Sequence, residues 1–390
     1  MLYSGMRHLN RAALLALLTL SGAAHATLEN DAGTLLPYGP RVAGSPANEQ
    51  ARTYLEAQFR ALGYDTRRQS FTYSRFDDLG SDVQVAGQTL AGTALQDSAG
   101  GTVQAAVVRV PGTGTPEDFA RVDVRGKVAV VQRGQIPFLQ KAQNALGAGA
   151  TGVVIVNNAA GDFRGTLGQR TALPVLGVSP TAGEALKDGV TVTLNVRVRE
   201  GDVTGINLIA SRSGQPGSSV LFGAHLDSVQ GAPGANDNLS GSLTVLEIAR
   251  RAATTPLGGR STFVLFDGEE DGLLGSRAFV KDNTAMVQGL KAMLNFDMVG
   301  VNVMPLSISG TPALMDTARR AGLPTAGSDI GRSDHVPFRD AGVPAAMFYR
   351  GEDANYHKPG DTVLDLGLVR ETADVAVTLA DAVLSATPAN

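Results

Sequence analysis

The stretch 219-SVLFGAHLDSV-229 decides the fold: an apolar run of strand length ends in glycine, alanine, histidine and, two residues later, aspartate. A run this continuous in apolar residues suits a strand buried on both faces, as in a parallel sheet covered by helices. Four other segments read the same way: 205-GINLIA-210, 261-STFVLF-266, 290-LKAMLNF-296 and 344-PAAMFY-349. Between them, helical spacing predicts helices over Leu239–Ala253, from the cap pair Thr311 and Pro312 toward Arg320, and over Leu368–Leu384. The expected fold is α/β, a mostly parallel central sheet flanked by helices.

The acids and histidines fall where those strands end. His225 and Asp227 follow the quoted strand, Glu269 and Glu270 follow 261–266, Asp297 ends 290–296 and His357 follows 344–349. Asp237 sits in 234-GANDNLSG-241, just before a helix. Ligands of open α/β sheets bind outside the carboxyl ends of the strands, so these side chains are expected to converge on one rim.

Composition limits the chemistry. The chain has 390 residues, 43% hydrophobic and 18% charged, enough for a large core and two domains. Arg7 and Arg11 precede 12-AALLALLTL-20, and Ala24-His25-Ala26 follows, the pattern of an export signal over residues 1–26. Removing it takes two of the 33 basic residues and no acids, leaving 31 against 37 and a net charge of −6. That balance, without a basic run, argues against nucleic acid or anionic lipid as a partner. No later run is long and apolar enough to span a membrane, so the mature protein is expected to be soluble, and the leader makes it exported, secreted or periplasmic. With no cysteine, disulfides and thiolate chemistry are excluded, and a metal must sit on His, Asp and Glu.

Imidazole and carboxylate donors suit a borderline divalent ion, zinc above all, and also manganese or cobalt. His225, Asp237, Glu270, Asp297 and His357 are too many for one catalytic ion, whereas a bridging Asp237 divides them into two three-ligand sites. Asp227 is placed to accept the N–H of the His225 ring. Crowding this many carboxylates without a cation costs several kcal/mol each or forces protonation.

With 223-GAHLDSV-229, 234-GANDNLSG-241, 268-GEEDGLLGSRAFV-280, 294-LNFDMVG-300, 331-GRSDHVPF-338 and 355-NYHKPGDT-362 in this order, the chain resembles the secreted di-zinc aminopeptidases of metallopeptidase clan MH. The resemblance implies His225, Asp237 and Asp297 on one zinc, and Asp237, Glu270 and His357 on the other. It also implies Glu269 as general base and Tyr356 as a group that polarises the substrate carbonyl. The residues alone do not tell Glu269 from Glu270; on an extended strand exit the two would point to opposite faces. His335 is read as pairing with Asp334 in a loop, the alternative being a place in the substrate cleft.

The opening 41-RVAGSPANEQARTYLEAQFRALGYDT-66 aligns Ala51, Tyr54, Leu55 and Leu62 on one helical stripe ending at Gly63, and also fits that family. Residues 83–199 change to glycine-rich strands, and 126–158 with 173–186 resemble a protease-associated domain inserted into a catalytic domain made of 27–82 and 200–390. This β-rich insert carries no cluster of histidines or acids and is read as a spacer or lid. The expected substrates are peptides with a free amino terminus. Alternatives are a single-zinc glutaminyl-peptide cyclase, a carboxypeptidase-like relative that recognises a carboxylate, and a receptor-like ectodomain without catalysis.

Overall fold

The computed structural model describes residues 27–212, 219–326 and 331–386. The leader expected over 1–26 lies outside the described residues. The chain divides into two compact units, one made of the chain up to Gln69 together with the chain from Ile206, the other of Ser70–Gly205. The strands Asp65–Asp78 and Val198–Ser211 both run through the points of division.

The first unit is built on a seven-stranded sheet ordered Asp65–Asp78, Val198–Ser211, Ser261–Phe266, Val220–His225, Ala292–Phe296, Ala345–Tyr349, Ser307–Gly310. The four strands from Ser261–Phe266 to Ala345–Tyr349 are mutually parallel. Antiparallel neighbours flank them, Val198–Ser211 on one side and Ser307–Gly310 on the other. The stretch 205–210, grouped by its composition with the parallel strands, therefore runs against them.

Every residue of Val220–His225, Ser261–Phe266 and Ala292–Phe296 is buried, which explains why these strands show no polar alternation. Successive side chains feed two cores. Phe222, Phe263, Leu294 and Phe348 pack with residues of the helices Pro46–Ala61, Ser240–Ala252 and Leu366–Ser385. Leu221, Val264, Met293 and Ala345 pack on the other face with Phe279 and Phe338. Register stacks the Phe222 ring on Phe263, centroids 5.5 Å apart.

Local chemistry sets the helix ends. Ser45 accepts from Asn48 N at 3.2 Å, and Pro46 opens the helix that closes before Gly63, whose φ of 81° suits a residue without Cβ. Pro312–Arg320 also begins where expected, but the Thr311 hydroxyl caps nothing. A buried ion pair, Arg52 Nη2 to Asp267 Oδ2 at 2.7 Å, ties the first of these helices to the end of the strand Ser261–Phe266.

The second unit carries an eight-stranded sheet in which Gly101–Arg109, Val128–Gln132, Gly152–Val156 and Val175–Val178 run parallel. Its cores are its own: Val107, Val128, Val154, Leu176 and Leu194 form one, Val131, Ala142, Ile155 and Val175 the other. No helix among the described residues is long and apolar enough to cross a membrane.

Candidate metal centre

The parallel strands end at a cavity of about 200 Å³ lined by His225, Asp237, Glu269, Glu270, Asp297 and Tyr356, together with Met298, Gly331, Arg332, Ser333, Met347, Tyr349 and Glu352. His225 is the last residue of its strand. Its Nδ1 lies 3.1 Å from the backbone oxygen of Asp227 and 3.7 Å from the Asp227 carboxylate. The ring nitrogen thus lies nearer the carbonyl than the carboxylate expected to take its N–H, and both belong to Asp227. An Nδ1–H bond to that carbonyl leaves the Nε2 lone pair facing the cavity, free to ligate a cation. The Asp227 carboxylate instead accepts the backbone N–H groups of Glu269 and Glu270, each at 3.2 Å.

Those two glutamates do not continue an extended strand. Gly268 adopts φ 67°, and Glu269 O accepts from Gly272 N at 2.8 Å and Leu273 N at 2.9 Å, so both side chains leave a turn and both reach the cavity. The expectation of opposite faces fails because the chain folds around the Asp227 carboxylate.

Asp237 stands in the turn Ala235–Leu239, which is fixed from two sides. The Asp361 carboxylate accepts from Asn236 N at 2.7 Å and Asp237 N at 3.0 Å, and Asn238 Nδ2 donates to Phe296 O at 2.8 Å, beside Asp297. Asp361, four residues after His357, thereby links the His357 segment to the Asp237 turn. Tyr356 stacks on the His357 ring at 3.8 Å between centroids.

Two trios bring their donor atoms within 4.8 Å of one another, His225–Asp237–Glu270 and His225–Glu269–Asp297, so the cluster is continuous. The shortest approaches divide it differently. His225 Nε2 lies 3.3 Å from Asp237 Oδ1 and 3.4 Å from Asp297 Oδ1. His357 Nε2 lies 3.2 Å from Asp237 Oδ2 and 3.0 Å from Glu270 Oε2. These distances give each imidazole an acid of its own and divide the two Asp237 oxygens between the rings.

The electrostatics are those of a pocket with too much negative charge. Burial, helped by Asp334, Asp297 and Glu270, holds Glu269 well above the carboxylate range although His225 opposes it. Burial pushes Glu270 up to about 7, with Asp237 adding to it. Burial opposes protonation of both rings, yet Glu269 and Asp297 raise His225 well above the imidazole range, while hydrogen bonds to Asp237 and Glu270 raise His357 to about 9. Burial would raise Asp237, but its bonds to both imidazoles outweigh that and lower it. Glu270 Oε1 and Asp297 Oδ1 are buried without a hydrogen-bond partner.

All of the candidate ligands, with Glu269 and Tyr356, therefore meet in or beside one cavity. His335 is buried as the first residue of the helix His335–Asp340 and is not among the residues lining it. Among the lining residues, Glu352 lay outside every quoted segment, while Met298, Met347 and Tyr349, like Asp361, lay unremarked inside quoted segments.

Fold and site together define an α/β protein of the open-sheet class, with reactive groups gathered at the carboxyl ends of parallel strands. Residues 207–380 match Peptidase family M28, and residues 99–186 match the PA domain. Aminopeptidase YwaD of Bacillus subtilis is 31% identical over 353 residues, covering 83% of this chain and 76% of its own. Among solved structures, the aminopeptidase from Aneurinibacillus sp. strain AM-1 is 31% identical with a TM-score of 0.71, covering 92% of this chain and 93% of its own. BSAP, a zinc aminopeptidase from Bacillus subtilis, is 28% identical with a TM-score of 0.74, covering 91% and 94%. The chain belongs to peptidase family M28 and carries a PA domain.

Proposed function

We propose that this chain is an exported metalloaminopeptidase that binds two zinc ions and releases amino-terminal residues from peptides. The observation that carries this reading is the Asp237 carboxylate, each oxygen of which faces a different imidazole that also has a second acid beside it. The donor set fits: two imidazoles and three carboxylates are the ligands of borderline divalent ions, and the orphaned oxygens of Glu270 and Asp297 await a cation. His225, Asp237 and Asp297 would hold one ion, and Asp237, Glu270 and His357 the other. When bound, such ions supply Lewis acidity, making a water acidic near neutral pH and polarising a carbonyl.

The remaining work falls to the protein. Glu269, with no imidazole closer than 4.0 Å, is the group left to take the proton of the attacking water and return it to the leaving amine. Burial and the neighbouring acids hold it protonated, and it is freed to act as the base when cations are bound among those acids. Burial and the surrounding acids hold the Tyr356 phenol above its ordinary range, so it stays protonated and donates to the carbonyl oxygen as charge develops there. The cavity, about 200 Å³ against about 300–1,000 Å³ for typical ligand sites, suits a chain end. Its acids suit the ammonium of a free amino terminus. The leader pattern of residues 1–26 supports export.

The test is to measure metal per chain in the purified protein and to profile its cleavage of a peptide mixture with and without chelator. Expected are two zinc ions per chain and release of single amino-terminal residues, abolished by chelation and restored by zinc. Internal or carboxy-terminal cuts, or activity indifferent to chelator, would overturn the reading. One zinc per chain with cyclisation of amino-terminal glutamine would replace it with a cyclase.

A further inference from the structure

A buried cation beside the cluster has no part in the chemistry above. Arg41 is fully buried, and its guanidinium donates to three backbone carbonyls: Nε to Leu226 O at 2.9 Å, Nη1 to Pro233 O at 2.8 Å and Nη2 to Gly234 O at 2.8 Å. Its main chain completes the clasp. Arg41 N donates to Ser228 Oγ at 2.9 Å, while Arg41 O accepts from Ser228 N at 3.3 Å and from Asn48 Nδ2 at 2.9 Å. Leu226 directly follows His225, and Gly234 stands three residues before Asp237. One side chain thus grips both ends of the segment that separates two candidate ligands.

The fit is close. A Cβ at Gly234 would meet Asp237 O at 2.4 Å, Ser228 Cβ at 2.6 Å and Arg41 Nη2 at 3.0 Å, and the residue has φ 70°. Glycine is required there because the fork, the serine and the Asp237 turn converge on it. The buried Lys141 gathers three carbonyls around a single nitrogen, whereas Arg41 uses three nitrogens in a fixed plane, a geometry that an ammonium does not reproduce.

We propose that Arg41 is a positioning residue, whose planar fork holds residues 226–234 in the conformation that brings His225 and Asp237 to one cation. The proposal rests on the two-metal reading above. Groups that orient metal ligands typically change metal affinity or activity about 10–100-fold when lost.

The experiment titrates zinc into the metal-stripped wild type, Arg41→Lys and Leu379→Ala, the last a core change in the helix Leu366–Ser385 that lowers stability away from the site. Arg41→Lys is expected to bind zinc about 10–100-fold more weakly and to lose kcat with KM little changed. Leu379→Ala is expected to keep wild-type affinity despite a lower unfolding midpoint, which separates positioning from general stability. Wild-type zinc affinity and kcat in Arg41→Lys would overturn the proposal alone, whereas a wild type that takes up no zinc would sink both it and the metal reading. Should Arg41→Lys fail to fold, Ser228→Ala removes the oxygen that binds Arg41 N; a measurable loss of zinc affinity supports the clasp, and wild-type affinity overturns it.

Discussion

Glu269 and Glu270 are identical neighbours in different surroundings. Glu270 Oε2 lies 3.0 Å from His357, while Glu269 approaches an imidazole only to 4.0 Å, and the Asp227 carboxylate fixes both by their backbone N–H groups. Glu269→Gln should purify with full metal and lose activity by about 10²–10⁴-fold, the worth of a positioned base. Glu270→Gln should lose metal as well as activity. Elemental analysis of the two folded variants decides it: depletion in Glu269→Gln would reverse the roles, and full metal and activity in both would move the active site elsewhere. Apart from Asp237, which stands in a polar turn before a helix, the acids and imidazoles were legible because they follow apolar runs, where a charge has few structural reasons to be. Arg41 and Asp361 were not, since their partners are backbone atoms of loops far away in sequence, and such bonds leave no periodic trace. The turn at Gly268 was hidden for the same reason, being set by the carboxylate of Asp227.

At the scale of elements, the parallel strands were readable from unbroken apolar runs, and the helices from spacing that holds to within a residue or two of the observed ends. What spacing did not give was direction, because an antiparallel segment buried on both faces, as residues 207–210 at the end of Val198–Ser211 are, has the composition of a parallel strand. The helix Pro46–Ala61 adds polar chemistry to its packing. Glu56 receives Arg68 Nε at 2.7 Å and Thr66 Oγ1 at 2.9 Å, and pairs with Arg60 at 2.5 Å. Burial alone would raise its carboxyl, but Arg68 and Thr66 prevail and hold it below the usual range. A carboxyl with a lowered folded-state pKa contributes stability above its unfolded value of about 4.3, and this contribution is lost as pH falls through the folded value. Thermal unfolding between pH 7 and pH 3 should therefore show Glu56→Gln less stable than wild type at neutral pH, with the two curves converging in acid. Parallel curves would mean that the pair contributes nothing.

For the whole molecule, the change of texture near Val83 announced a second unit, but the compact body begins at Ser70 because Asp65–Asp78 and Val198–Ser211 are single strands that continue through the division. Composition marks a change of core; it does not mark a point inside a continuous strand. Each unit closes its own hydrophobic clusters, which is the physical condition for folding alone. Every candidate ligand lies in the first unit. Replacing residues 83–199 by a short linker should accordingly leave metal content unchanged and keep kcat/KM on a dipeptide-like substrate within about threefold, equivalent to ~0.7 kcal/mol of transition-state stabilisation. If the insert guides extended substrates, cleavage of long peptides should fall further than that. A folded deletion variant that holds no metal, or one slowed about 100-fold on the smallest substrate, would show instead that the insert supports the centre itself, and the boundary between chemistry and spacer would have to be redrawn.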